Sequence, residues 1–163
     1  PERKTNCFGQ RGLKVQDDAW EDNFHEVLET LDGLVKVGKI KHVGVSNENP
    51  WGLMRFLEES KYNNLTRIKT IQNPYSLLNR LFENASAEVC LRENVGLLAY
   101  SPLTLTELAL AFVQQQPFVT SSIIGATTME QLKENIATID VVLSNEILRE
   151  IDAVHAIIPD PAP

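Results

Sequence analysis

Apolar residues along this chain switch between two spacings, and the switches mark its elements. From Phe24, the residues Phe24, Val27, Leu28, Leu31, Leu34 and Val35 recur at three and four positions, the pattern of one buried helix face. Gly38 closes that stretch as a helix terminator. Ile40, Val43 and Val45 then form a β-branched run around a small Gly44, which predicts a strand over 40–45. The run ends in Ser46 and Asn47, and Asn49-Pro50 opens a second helix as N-cap and first-turn proline. Leu53, Met54, Phe56 and Leu57 mark its buried side, and the Asn63-Asn64 pair ends it.

The same strand-then-helix layout returns three times. Arg67 to Gln72 predicts a second strand, followed by Asn73-Pro74-Tyr75-Ser76 and a third helix from about Phe82 to Arg92. Val95 to Tyr100 is a nearly continuous apolar strand, ending in Tyr100-Ser101-Pro102. Leu105, Leu108, Ala109 and Phe112 predict a fourth helix, with Thr104 and Glu107 as its capping box. After Pro117, Phe118 to Ile124 is a fourth β-rich run. A fifth helix follows Gly125-Ala126-Thr127-Thr128, with Leu132, Ile136 and Ile139 expected inward, and a last helix spans Glu146 to Val154. The polar segment before Asp22 and the proline-rich end from Pro159 to Pro163 read as loops.

Strand ends at Asn47, Gln72, Tyr100 and Gly125 lie roughly 25–28 residues apart, the length of a βα unit. Four such units imply an α/β fold with a parallel sheet, either doubly wound or half of an eight-stranded barrel. No G-x-G-x-x-G follows a strand, so the dinucleotide fingerprint of doubly wound folds is absent. Four strands do not close a barrel that needs eight.

Composition narrows the partners. With 163 residues and 43% apolar content the chain can build one real core. A net charge of −7 argues against nucleic acid or an anionic membrane, while leaving room for a small anion at a helix N-terminus. No apolar run is long enough for a membrane span, and the first residues lack the apolar stretch of a signal peptide. Two cysteines, Cys7 and Cys90, without a CxxC or a spaced histidine, point to free thiols in a reducing cytoplasm and to no metal. The chain begins at Pro1 rather than Met, which reads as a fragment or a trimmed product.

The strand ends carry a resemblance. Gly44-Val45-Ser46-Asn47, Ile71-Gln72-Asn73-Pro74-Tyr75-Ser76, Leu98-Ala99-Tyr100-Ser101-Pro102-Leu103, and Ile124-Gly125-Ala126-Thr127 with Gln131, Glu134 and Asn135 occur in this order. Together they resemble the C-terminal half of the aldo-keto reductases. Within that family the likeness is to the bacterial Tas-like group, related to voltage-gated potassium channel β subunits. It covers nearly the whole chain, so residues 1–163 are expected to be the C-terminal portion of one (β/α)8 TIM barrel domain.

The resemblance implies a role for each position. Ser46, Asn47 and Gln72 would hydrogen-bond a nicotinamide carboxamide, and Tyr100 would stack on the ring. Ser101, Pro102 and Leu103 would line the pyrophosphate path of NADPH. Gly125, Thr127, Gln131, Glu134 and Asn135 would surround the adenosine ribose and its 2′-phosphate. The residue chemistry suits these roles: an amide needs both a donor and an acceptor, and Asn and Gln supply both. A flat aromatic ring suits offset stacking.

Three departures follow. No cation stands at the 2′-phosphate position before Lys133, so NADH is not excluded. Leu103 runs directly into Thr104, where the family carries tens of further residues. The family's Asp, Tyr, Lys and His belong to earlier strands and are not assigned here, so no catalytic residue is named. His25, His42 and His155 are isolated, and Cys90 reads as core.

Each motif alone has an ordinary reading. Ser46-Asn47 can simply end a strand, Thr128 with Gln131 can be a capping box, and Glu134-Asn135 can be a solvated helix face. Jointly they fall at the strand ends where such folds bind ligands. The leading expectation is therefore an oxidoreductase that reduces a small aldehyde or ketone with NADPH, this chain holding the cofactor. The alternatives are a non-catalytic nucleotide-binding regulatory or interaction protein, and a truncated inactive barrel fragment.

Overall fold

The computed structural model describes residues 22–100 and 107–161. In chain order it contains α1 (Phe24–Lys36), β1 (Val43–Ser46), α2 (Pro50–Asn63), β2 (Ile68–Pro74), α3 (Ser86–Glu93), β3 (Gly96–Tyr100), α4 (Glu107–Gln114), β4 (Val119–Ser122), α5 (Met129–Ala137) and α6 (Asn145–Ile157). Short 3-10 turns precede α3 at Leu81–Glu83 and follow α5 at Thr138–Asp140.

Most boundaries have the local cause that the sequence predicts. The Asn49 side chain accepts the Gly52 N–H at 2.9 Å, with Pro50 at the first turn of α2. Asn64 ends that helix in the left-handed region at φ 54°. β1 starts later than expected, at Val43, because the N–H groups of Lys39 and Ile40 still close onto the Leu34 carbonyl at the end of α1. The predicted third helix is broken: Leu81–Glu83 is a 3-10 turn, Ala85 takes a positive φ of 79°, and α3 begins only at Ser86. Phe82 stays buried across that break, which is why the apolar spacing ran through it. The expected cap of α4 at Thr104 lies outside the described residues. α6 continues to Ile157, one turn past its expected end.

The four strands are all parallel and lie in the order β1-β2-β3-β4. Parallel crossovers are right-handed, a rule that puts the connecting helices α2, α3 and α4 on one face of the sheet. A doubly wound sheet would need its order to reverse, so the sheet is wound in one direction, as in a barrel. Burial agrees: Val43, Ile71, Leu97 and Ala99 are buried against the helices, while Gly44 and Ser46 are exposed on the other face. The core on the helical side is built from Phe24, Leu53, Phe56, Tyr75, Phe112 and Phe118, among others. Phe24 meets Phe56 edge-on at 4.7 Å, and Tyr75 meets Phe118 edge-on at 5.3 Å.

The expectation that Ile136 and Ile139 point inward is wrong. They are 57% and 73% exposed. The inward positions belong instead to Asn135 in α5 and Thr138 at the start of the following 3-10 turn, both buried and three residues apart on one face. Asn135 donates to the Gly125 carbonyl at 3.3 Å, and Thr138 Oγ1 bonds the Asn135 carbonyl at 2.7 Å and accepts from Gln114 at 3.3 Å. A polar pair with partners displaced the two isoleucines.

Asp32, buried in α1, ties that helix to the start of β2. Its carboxylate meets Lys36 Nζ at 2.6 Å and accepts the Thr66 N–H at 2.8 Å. The Lys36 hydrogen bond holds its carboxyl below the usual carboxylate range, burial opposes this, and the Thr66 N–H adds to the lowering. A pKa lowered in the folded state gives stability that is present above the unfolded value and lost as pH falls through the folded one. Replacing Asp32 with Asn should therefore flatten the fall in melting temperature below about pH 4. Parallel melting profiles of the two proteins between pH 3 and pH 6 would count against this.

Candidate functional site

Ser46 closes β1 in register with Gln72, and Gln72 in turn pairs with Leu98 on β3. One residue on, Asn47 takes the left-handed conformation at φ 53°, which Asn tolerates better than most side chains. Its N–H donates to the Gln72 carbonyl at 2.9 Å, so the turn stays fastened to the sheet. Asn73 Nδ2 braces the same turn through the Glu48 carbonyl at 3.0 Å.

Tyr100 ends β3, paired with Pro74. Its hydroxyl donates to Asn47 Oδ1 at 2.6 Å, joining the ends of two strands that are not neighbours. Burial raises the Tyr100 pKa, so the phenol is a protonated donor at neutral pH. Among the described residues, the Ser46 hydroxyl, the Gln72 amide and Asn47 Nδ2 carry no protein hydrogen bond. Those three groups are open to a ligand.

β4 reaches the same end of the sheet, since the Ile123 N–H donates to the Ala99 carbonyl at 2.7 Å. The turn into α5 is held from within. Thr128 caps the helix by accepting the Gln131 N–H at 3.2 Å, while Gln131 Oε1 accepts both the N–H and the hydroxyl of Thr127 at 2.9 Å. This is a capping box displaced by one residue, because the returning side chain serves Thr127 rather than the cap itself. Asn135 is buried under Gly125, and a Cβ built on Gly125 would meet nothing within 4 Å.

The predicted residues thus fall into two groups. Ser46, Asn47, Gln72 and Tyr100 gather at the ends of β1, β2 and β3. Gly125, Thr127, Gln131 and Asn135 form one hydrogen-bonded turn after β4, with Glu134 exposed on the helix beyond it. Ser101, Pro102 and Leu103 lie outside the described residues. Sequence reasoning missed the bracing role of Asn73 and the Tyr100–Asn47 bond; nothing in the spacing of residues 53 positions apart signals such a contact.

The Aldo/keto reductase family profile matches residues 13–104 and 103–156. The chain belongs to the aldo/keto reductase family. Protein tas of Escherichia coli is 40% identical over 213 residues, an alignment covering all of this chain and 62% of that protein. An aldo-keto reductase of Babesia bovis is 28% identical over 78% of this chain and 65% of its own length. Among solved structures, the thermostable aldo-keto reductase Tm1743, in complex with the inhibitor epalrestat, superposes with a TM-score of 0.73. That match is 26% identical and covers 80% of this chain and 54% of the other.

The chain spans about three-fifths of the tas protein it matches. The profile matches in two pieces that meet at Leu103–Thr104. The alignment to tas runs over 213 positions against the 163 residues of this chain, so 50 of them (213 − 163) have no counterpart here. No group of three or more His, Cys, Asp or Glu among the described residues is placed to hold a metal. No helix among them is long and apolar enough to cross a membrane.

Cys90, expected in the core, is 1% exposed, and burial pushes its thiol up to about 11, which makes it a poor nucleophile at neutral pH.

Proposed function

We propose that this chain carries the cofactor-binding half of a reductase that uses NADPH to convert a small aldehyde or ketone to an alcohol. One observation carries the reading: Ser46, Asn47, Gln72 and Tyr100 gather at one end of three adjacent strands, with the Ser46 hydroxyl, the Gln72 amide and Asn47 Nδ2 unspent on other described residues. An amide-bearing flat ring is the ligand that such a set fits, with amides for the carboxamide and a phenol face for the ring. At the start of α5 the Thr127 and Gln131 N–H groups are used within the turn, which leaves those of Met129 and Glu130 for a phosphate, and Lys133 is the nearest cation in sequence.

When bound, the dinucleotide supplies a hydride to the carbonyl carbon. The residues of this chain hold and orient it. Neither remaining tyrosine is proposed as a proton donor. The Tyr75 hydroxyl is buried against Glu83 at 2.6 Å, with burial raising its pKa, and Tyr62 is 77% exposed on α2. The proposed partners are therefore the cofactor and a small carbonyl compound, with no nucleic acid or membrane, in the cytoplasm.

Titrating NADPH and NADH against the 163-residue chain, followed by fluorescence, tests this directly. Saturable binding with no oxidation on adding an aromatic aldehyde is the expected result. Absence of binding would overturn the cofactor assignment. Aldehyde-dependent oxidation would overturn the placement of proton transfer outside this chain.

A further inference from the structure

We infer that two copies of this chain pair edge to edge, β4 of one beside β1 of the other, and close an eight-stranded parallel barrel. Among the described residues the sheet stops at β1 on one side and at β4 on the other, and no strand pairs with either outer edge. The two edge strands match. Val43–Ser46 and Val119–Ser122 are each four residues long and run in the same direction. β4 of one copy can therefore take β1 of the other in the parallel sense used throughout the sheet. With four strands per copy the ring is complete at two copies, each β4 meeting the other copy's β1.

The open face of the sheet holds half of a barrel layer. A Cβ added to Gly44 of β1 would run into Thr70 Oγ1 of β2, and one added to Gly96 of β3 would run into Thr120 Oγ1 of β4. At this level β2 and β4 supply the side chains, while β1 and β3 supply the space. Closed eight-stranded barrels fill each interior layer with four side chains from alternate strands. One copy supplies two of the four, and a second copy supplies the other two without breaking the alternation. At each junction the glycine of β1 makes room beside Thr120 of the neighbouring β4.

The margins outside the two edges also match. Gln114 and Gln115, at the end of α4 just before β4, hold Thr138, Val141 and Leu143 by hydrogen bonds. That places Ile139, Asp140 and Val142, all exposed, beside the N-terminal end of β4. Val37, Lys39 and Lys41, also exposed, lead into the N-terminal end of β1. Edge-to-edge pairing brings these two groups to the same end of the junction, apolar against apolar and Asp140 toward the lysines. None of the three charges has an ion pair among the described residues.

Sedimentation velocity of the 163-residue chain should give twice the chain mass, with no larger species. Ile139→Lys weakens the β4 side and Val37→Asp the β1 side, each by setting a like charge against the facing group in both junctions. Each should raise the dissociation constant of the dimer about tenfold or more. Far-UV circular dichroism should stay unchanged, since both residues are exposed in the single copy. Mixing the two variants is decisive. A mixed dimer has one junction with neither substitution and one in which the introduced charges are opposite, so mixing should recover dimer that neither variant forms alone. A monomer for the unsubstituted chain would overturn the inference and leave the edges to a different partner. An open series of larger species, unchanged dimerisation of Val37→Asp, or a mixture no more dimeric than its parts would overturn it too.

Discussion

Replacing Arg80 with Ala is expected to destabilise the protein by about 2–3 kcal/mol, a sizeable part of the stability of an ordinary domain. Arg80 sits in the loop after β2 with its side chain only 12% exposed. Its Nε meets Glu83 Oε1 at 2.7 Å, one terminal nitrogen meets Glu83 Oε2 at 2.9 Å, and the other meets Asp152 of α6 at 2.7 Å. Tyr75, fully buried, donates its hydroxyl to the same Glu83 at 2.6 Å. The guanidinium also lies 5.1 Å above the Phe112 ring, and the Arg80 N–H donates to Asp160 at 2.6 Å. Removing the cation leaves the part-buried Glu83 facing a phenol without its two-pronged partner, while Asp152, 61% exposed, regains water and adds little.

The network matters because α6 has no fully buried residue. Leu148 and Ile151 pack on the core, but Val154 and Ile157 are 62% and 80% exposed. The Arg80–Asp152 bridge adds to that packing in tying α6 to the loop after β2, while the bond from the Arg80 backbone N–H to Asp160 survives the substitution. Arg80→Lys keeps the charge but loses the two-pronged geometry, so it should recover only part of the loss. Urea unfolding of both variants measures this. A midpoint for Arg80→Ala equal to that of the unsubstituted protein would show that the network contributes nothing.

The second large effect is expected at Gly96. A Cβ added there would lie 2.0 Å from Thr120 Oγ1 and 2.9 Å from Thr120 Cβ. Rotating Thr120 does not clear the space, since its branched side chain fills two of three staggered positions and its Cβ does not move. The strands themselves would have to separate. Gly96→Ala should therefore cost about 1–3 kcal/mol, the usual range for overpacking. Thr120→Gly in the same chain should restore much of that, despite the intrinsic cost of glycine in a strand. A double-mutant cycle reads the coupling directly. Additive losses would mean that Thr120 is not what Gly96 accommodates. Gly44 stands in a similar relation to Thr70 between β1 and β2, where the added atom would lie 2.4 Å from Thr70 Oγ1.

Much of the fold was legible because its causes are local. The Asn49-Pro50 start and Asn64 stop of α2 follow from side-chain capping and a left-handed asparagine, both set within a few residues. The four strands followed from β-branched runs, and the ends of β1 and β3 fell within a residue of Asn47 and at Tyr100, whereas β2 runs past Gln72 to Pro74 and β4 stops at Ser122 rather than Gly125. The errors came where local pattern met long-range demand. Ile136 and Ile139 had the right spacing for a buried face, yet Asn135 and Thr138 took the inward places because the Gly125 carbonyl and the Gln114 amide wait there. The continuous period around Phe82 concealed a broken helix, since a 3-10 turn can bury the same side chain.

Residue order alone determined that this protein has four strands alternating with helices, and roughly where each lies, although β2 runs on to Pro74 and β4 stops at Ser122, short of the expected Gly125. It did so because helix caps, turns and apolar periods act over a few residues. Only the tertiary structure decided that the sheet winds in one direction, in the order β1-β2-β3-β4, and that Tyr100 reaches across β2 to Asn47. Pairing order and side-chain reach join residues tens of positions apart, and their free energy exists only once the strands are side by side.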